Sequence, residues 1–503
     1  SVATHQVIQQ GGSRRGALML MINDDHPDVE EFITVKQEQG RLNGANLSVC
    51  ISDGFMKAVK EDGDWDLKWK GEVYKTVKAK ELWGKIVESA WASAEPGLHF
   101  MERSNKRSNT WYYETLISTN PCGEQPLGAW AVYNVVDANY YFFKENEEQQ
   151  LGTRRTGLGT MGLGDALIKM QVRYGSEESL PVIEKIYKTI RDAAYDESAE
   201  IAKEKGAFPM FDRSKYLKGW FIKRLPKATR EKIAKYGIRN AVLLTQAPTG
   251  TTSLVSGASS GIEPVYDFAM KRKDRTGEHI LYHELYKAWI DEHPDEEVPD
   301  YFVSANDLTP LEHVKVQAKI QEFTDSSISK TVNAPNDHTV EDVKELYEAA
   351  YDLGLKGVTY MRDGSREGVL EHLPKKGEEQ KADQPAPAAV TPQASPTPAP
   401  RPKVLEGKPV RMETAYGKLY VTMNVDTQGN LLEVFAAMGK AGGLGASMTE
   451  AICRLISTSL RAGVAPRAII KEVRGITDTP YGFGDNRVNS VADAIGKAME
   501  DYL

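Results

Sequence analysis

Cysteine is scarce in this sequence: 503 residues hold three, at Cys50, Cys122 and Cys453. Three unevenly spaced thiols cannot build a disulfide framework or a four-cysteine zinc site. The nine histidines are scattered, and none pairs with a cysteine at ligand spacing, so no protein-bound metal is indicated. Positive charge is also short. A net charge of -8 leaves no basic footprint for nucleic acid. No apolar run approaches bilayer length, which argues against a membrane role. Nothing at the start reads as a signal peptide, so the expected compartment is the reducing cytoplasm. What remains, 41% hydrophobic and 27% charged residues, is ordinary for a globular protein of two or three domains.

Residues 1–374 alternate short apolar runs (ALMLMI, NLSVCI, AVLLT) with amphipathic stretches such as SLPVIEKIYKTIRDAAYDESAEIAKEKG, a helix that Gly206 should end. That alternation predicts an α/β domain. Residues 375–408 turn Pro- and Ala-rich with almost no large apolar side chains, the composition of an extended linker. Residues 409–503 read as a small α+β domain. KLYVTMNVDTQGNLLEVFAAMG predicts a hairpin, and two following helices should end at Gly463 and Gly475.

NPCGE, residues 120–124, is the stretch with most chemistry in it. Pro121 fixes one backbone angle and Gly123 tolerates unusual ones, so Cys122 is expected at the tip of a tight loop. One reading is a reactive thiol sharing a ligand with Glu124 and Asn120, which alternate onto the same side. The other is a turn with a structural cysteine. No His or basic residue is adjacent, so a Cys-His hydrolase is not suggested. Cys50 and Cys453 sit among apolar neighbours and read as packing residues. Farther along, AVLLT runs into Pro248, Thr249, Gly250, Thr251, Thr252 and Ser253, whose free backbone N–H groups at a helix start suit a phosphate. No Gly-Lys-Ser/Thr follows, so this is not a Walker loop; the plainer reading is a Thr-rich cap. QQGGSRRGA, residues 9–17, is a flexible basic loop that either touches a nucleotide or simply faces solvent. GLGTMG at 157–162 matches a dinucleotide fingerprint in letters only, because no strand precedes it and no acidic strand end follows.

Taken in order, GGSRRGA, HPDVEEFI, NLSVCISDGFM, EPGLHFMERSN, TNPCGEQPLG, RRTGLGTMGLGDAL, APTGTTSLVSGASSGIEPVYDFAMKR, SSISKTVNAP and GLKGVTYMRDGSR resemble the catalytic chain of ribonucleotide reductases. They are most similar to class II, the adenosylcobalamin-dependent enzymes, and residues 409–503 resemble the small domain that follows a linker in many of them. The resemblance implies a ten-stranded α/β barrel, incomplete here, with a finger loop through its centre whose tip is NPCGE. It implies that Cys122 carries a thiyl radical that takes the 3′ hydrogen of the ribose. Glu124 would accept the 3′-hydroxyl proton, and Asn120 would hold the sugar. Pro248 to Ser253 would bind the substrate phosphates. Gln10, Gly11, Gly12, Ser13, Arg14 and Arg15 would belong to the loop that couples the substrate base to a dNTP specificity effector, with Gln10 and Arg14 as foremost contacts. A thioredoxin-like protein or small thiol would supply electrons, and the substrate is expected to be a diphosphate.

Three departures qualify that expectation. Family members carry a long segment before GGSRRGA, with the first reducing cysteine and much of the effector site, and this sequence starts just before that motif. A fragment, or one piece of a split enzyme completed by an N-terminal barrel segment or a second copy, is therefore expected. Tyr133 stands where the second reducing cysteine is expected, and the cysteine-rich tail is replaced by MEDYL. Cys50 shares a predicted strand face with Asn46 and Ser48 as a conceivable substitute reductant. The alternatives are a degenerate nucleotide-binding protein without turnover and a glycyl-radical enzyme on the same barrel; no glycyl-radical loop is present to favour the latter.

Overall fold

A computed structural model describes residues 17–37, 45–131, 141, 143–274, 277–365, 371–372, 401–402, 405–426, 428–438, 444–482, 484 and 487–503. The chain divides into two compact units, 1–378 and 379–503. The loop Gln10 to Arg15 and Tyr133 lie outside the described residues.

The first unit is α/β. Five of its described strands form one sheet: β1 (Leu18–Asn23), β2 (Ala45–Cys50), β3 (Gly97–His99), β4 (Thr331–Ala334) and β5 (Gly357–Arg362), in the order β1-β2-β3-β5-β4. β1, β2 and β3 run parallel, as do β4 and β5, and the two sets meet antiparallel where Gly357 pairs with His99 and Val358 with Leu98. The register sorts the side chains into two faces. Val49, Leu98, Val358 and Val332 fall on the outer face, in a core shared with Trp83, Ile86, Val343, Leu346 and Tyr347. Met21, Asn46, Ser48, Cys50, His99, Thr331, Asn333 and Met361 fall on the inner face.

The covering helices follow from their caps and apolar spacing. α1 (Ala79–Ser93) buries Leu82, Trp83, Ile86, Val87 and Ala90, one helical stripe. α2 (Ser179–Lys205) stops at Gly206, as its sequence predicts. α3 (Gly250–Ser256) follows the Thr-rich loop. α4 (Pro310–Gln321) starts with a Thr309/Glu312 capping box and Pro at its first position, and α5 (Val340–Asp352) with a Thr339/Asp342 box. AVLLT does not form a ladder. It makes one parallel bridge, Leu158 to Leu244, and the residue after it another, Gln246 to Ile328, because the segments on both sides are themselves irregular.

The second unit is a three-stranded antiparallel sheet, β6 (Glu406–Thr414), β7 (Gly417–Val425) and β8 (Leu431–Met438), with helices α6 (Leu444–Arg461), α7 (Pro466–Val473) and α8 (Val491–Glu500). Leu419, Val421, Met423 and Val434 alternate onto one face against Ile456, Leu460, Ile495 and Met499. Cys453 is buried in that core. β6 begins at Glu406, inside the stretch read as linker: Lys408 pairs with Met423 through backbone bonds that composition does not reveal. Arg401, from the same stretch, clamps Glu433 with bonds of 2.8 and 2.9 Å.

Candidate functional site

Ser118–Thr119 pairs antiparallel with Pro126–Leu127, so residues 120–125 close a tight hairpin tip. Gly123 adopts a φ of 81°, the left-handed region that a side chain would resist. The Gly123 N–H donates to the Asn120 carbonyl (2.9 Å), and the Gln125 N–H donates to Asn120 Oδ1 (3.0 Å). Asn120 thus closes the loop it was expected to serve only as a ligand contact. The tip is also tied down from outside. Asn46, on the inner face of β2, donates Nδ2 to the Pro121 carbonyl at 2.7 Å, and the Thr119 hydroxyl reaches Met21 Sδ at 3.7 Å. The Glu124 carbonyl accepts from the Ser327 N–H (2.9 Å), Thr245 Oγ1 (2.8 Å) and Ser326 Oγ (3.1 Å).

These anchors set the chemistry of the two side chains at the tip. Glu124 is 5% exposed, and its Oε2 has no hydrogen-bond partner among the described residues. Burial raises its pKa, against the hydrogen bond from Asn120, so the carboxylate is a stronger proton acceptor than an exposed one. Cys122 is exposed. Partial desolvation and the Glu124 carboxylate both push its thiol up. A thiol held protonated is a poor nucleophile and a poor metal ligand, but it keeps the S–H bond that hydrogen-atom transfer needs. Among the described residues no three His, Cys, Asp or Glu side chains are grouped to hold a metal ion.

The Thr-rich loop begins three residues beyond Thr245, so the segment that grips the finger also feeds the phosphate candidate. Thr249 has a φ of 51°, and its Oγ1 accepts from the Gly261 N–H at 2.7 Å. Ser253 is buried, its hydroxyl bonded to the Gly250 carbonyl (3.1 Å) and Ser260 Oγ (2.9 Å). Thr249 and Ser253 therefore hold the loop's shape. Pro248, Gly250, Thr251 and Thr252 are exposed at the start of α3.

GLGTMG packs beside this segment. Leu158 and residues 243–245 exchange backbone bonds of 2.8 and 3.0 Å, and a Cβ on Gly159 would stand 2.3 Å from the Thr245 carbonyl. Close backbone approach explains this glycine without a dinucleotide. Nearby, a cavity of about 650 Å³ opens on the inner face at Thr331, Asn333 and Met361, with Ser253, Leu254, Tyr266 and His283 in its wall. His283 Nε2 lies 2.9 Å from Asp165 Oδ1, while its Nδ1 is buried without a partner. Glu263, also in the wall, bonds the buried Lys330 at 2.5 Å.

The structure brings Asn120, Cys122 and Glu124 together on one tip and leaves Cys50 away from it. Four residues of strand separate Cys50 from Asn46, about 13 Å along β2. Sequence reading missed Asn46, Thr245, Ser326, Ser327 and the Asp165–His283 pair. Only the hydroxyl-rich SSIS and the T before QAP hinted at donors, and hydroxyls are too common to single out.

Comparison with known proteins adds the following. The model of the ribonucleotide reductase barrel domain matches residues 3–132 and 128–361, and that of the TSCPD domain matches 391–503. A vitamin B12-dependent ribonucleoside-diphosphate reductase of Thermoplasma acidophilum is 33% identical over 424 residues, 72% of this chain and 53% of the relative. One of Mycobacterium tuberculosis is 32% identical, covering 72% of this chain and 59% of the relative. A vitamin B12-dependent ribonucleotide reductase of Streptomyces avermitilis is 26% identical over 637 residues, 100% of this chain and 66% of the relative. The chain thus spans between half and two thirds of the length of these relatives.

Proposed function

The chain belongs to the ribonucleotide reductase barrel family, and from that premise we propose that it is catalytic polypeptide of a class II reductase that converts ribonucleoside diphosphates to 2′-deoxyribonucleotides. The observation that carries the reading is the tip itself: a protonated, exposed Cys122 thiol two residues from a buried Glu124 carboxylate with a free oxygen. Cys122, as a thiyl radical, takes the 3′ hydrogen. Glu124 takes the 3′-hydroxyl proton while the reducing thiol gives a proton to the 2′-hydroxyl, which leaves as water. Two electrons from a thioredoxin-like protein or small thiol then complete the reduction. Exposed Pro248, Gly250, Thr251 and Thr252 bind the substrate phosphates beside the backbone that grips Glu124, with Thr249 and Ser253 shaping the loop. Gln10 to Arg15 couple the base to a dNTP effector.

Two parallel strand sets meeting antiparallel at β3 and β5 support the ten-stranded barrel, with its other strands contributed by polypeptide outside the described residues or by a second chain. The stretch from 375 up to Arg401 serves as linker and the residues from Glu406 on form the small α+β domain, and the compartment is the cytoplasm.

Adenosylcobalamin is the cofactor this reading implies; the cavity of about 650 Å³ is too small to enclose so large a group and would take one edge of it. Its wall carries Asp165, Glu263, Asp267 and Glu284 against Lys169, a balance that suits a neutral, amide-bearing ring better than a polyphosphate. Tyr266, Asn333 and the unpartnered Nδ1 of His283 would hold it. When bound, the cofactor supplies the oxidising equivalent that turns the Cys122 thiol into a radical.

The test is reduction of a ribonucleoside diphosphate by this chain with adenosylcobalamin and dithiothreitol, followed also by EPR. Cys122→Ala should abolish product, and Glu124→Gln should lower turnover about 10²-fold or more, the usual contribution of a positioned base. Product formation that survives Cys122→Ala would overturn the reading.

A further inference from the structure

Lys356, just before β5, is 3% exposed, yet the acceptors of its ammonium are backbone carbonyls and not carboxylates. Its Nζ donates to the Asp325 carbonyl at 2.6 Å and the Ser326 carbonyl at 2.8 Å. The Asp325 carboxylate is already engaged by the N–H groups of Leu243 (2.9 Å) and Leu244 (2.8 Å), the Tyr195 hydroxyl (2.5 Å) and Asn109 Nδ2 (3.2 Å). A cation taken this far from water costs several kcal/mol unless its surroundings are arranged for it. A Met of similar length would fill the space without that cost, so packing alone does not account for Lys356.

What the ammonium does hold is backbone. The two carbonyls it clamps belong to the residues next to, and part of, the group that grips the finger: Ser326 Oγ and the Ser327 N–H both donate to the Glu124 carbonyl. Lys356 also lies near the finger's return strand. With Asp325, Ser326 and Arg155 it lines a void of about 10 Å³ whose wall includes Pro126. Gln321 Nε2 adds a bond of 3.1 Å to the Ser326 carbonyl, whereas among the described residues Lys356 is the sole donor to the Asp325 carbonyl.

We infer that Lys356 is the positioning residue of the finger: it fixes residues 325–327, and through them the height and orientation of the tip that carries Cys122 and Glu124. Lys356 touches neither side chain, and its hold on the tip is independent of the reaction proposed for Cys122. Burial pushes its ammonium down to about 7, with Asp325 opposing and Arg107 reinforcing; charged or neutral, the amine keeps N–H donors enough for both carbonyls.

Hydrogen exchange on the full chain, read by mass spectrometry, tests this. Loss of one net hydrogen bond, about 1 kcal/mol, raises a local opening equilibrium about five-fold. Lys356→Met should raise exchange in peptides covering 118–127 and 324–330 by about that factor, with α1 and the second unit unchanged. Ser326→Ala, which cuts only the last link, should loosen 118–127 alone. Lys356→Gln, which keeps a shorter donor, should fall between wild type and Met, and it serves in place of Met if that variant does not fold. A folded Lys356 variant with unchanged exchange at 118–127 overturns the inference. So does exchange that rises equally across α1, the mark of a residue that merely fills the core.

Discussion

Asp24 is the group whose pH response can be worked out most fully. It lies 3% exposed just beyond β1, accepting the Ser52 N–H at 2.6 Å on Oδ2, while its own N–H donates to the Cys50 carbonyl. Burial pushes its carboxyl from 3.8 up to about 7; the Ser52 hydrogen bond opposes that, and the carboxylates of Asp25 and Glu102 add to it. The folded chain therefore keeps this proton up to about pH 7, whereas the unfolded chain releases it near 3.8. Between those values the folded state binds more protons, so its stability falls as pH rises. The full loss is about 4 kcal/mol, present below pH 4 as stability and gone by pH 8. Over the accessible range from pH 5 to 8 it comes to about 2.5 kcal/mol. Asp24→Asn keeps an oxygen for Ser52 and has nothing to ionise. Urea unfolding followed by tryptophan fluorescence suits the site, since Trp65 Nε1 bonds the Asp24 carbonyl. The variant should gain on wild type by about 2.5 kcal/mol across that range. Two curves that stay parallel from pH 5 to 8 would refute the argument.

Two further outcomes follow from the same geometry. Gly159→Ala puts a methyl 2.3 Å from the Thr245 carbonyl, so it should cost about 1–3 kcal/mol in thermal or urea unfolding and, if residues 248–253 bind phosphate as proposed, weaken nucleotide binding in calorimetry, because Thr245 leads into that loop. Native thiol titration should find one accessible cysteine, Cys122, reacting more slowly than a free thiol, with Cys50 and Cys453 appearing only in denaturant; two accessible thiols would mean that one of those two is not buried as described.

The sequence was most readable where structure is local. Pro121 and Gly123 announce the tip, Gly206 ends α2, and the alternation of Leu419, Val421 and Met423 sorts β7 into two faces, because turns, caps and pleats depend on neighbours a few residues away. The hold on the tip was unreadable for the opposite reason. Thr245 and Ser326 reach the Glu124 carbonyl from 121 and 202 residues away, and a lone hydroxyl carries no sign of such a partner. AVLLT misled as a strand because its β-branched and aliphatic composition reports burial, which it has, and not a ladder, which its irregular neighbours deny it. The roles of Cys122 and Glu124 came from resemblance to a family; spacing by itself left a reactive thiol and a structural turn equally open.

The position of Cys50 bears on where reducing electrons enter. Its side chain is on the inner face, as its alternation with Asn46 and Ser48 predicts, so facing is not the obstacle. Reach is. Asn46 is the β2 residue that touches the finger, and Cys50 lies about 13 Å farther along the strand, well beyond the separation of about 6 Å between α-carbons that a disulfide spans. Burial and the Asp24 carboxylate push its thiol up to about 12, which suppresses the thiolate that exchange with an external dithiol requires. Both arguments remove Cys50 from the redox path, and Cys453 belongs to the core of the other unit. If the proposed reduction takes place at Cys122, its electrons come from thiols other than Cys50 and Cys453. Cys50→Ala should accordingly leave dithiothreitol-supported turnover within about two-fold of wild type, the scale of an ordinary core substitution's effect on a distant site.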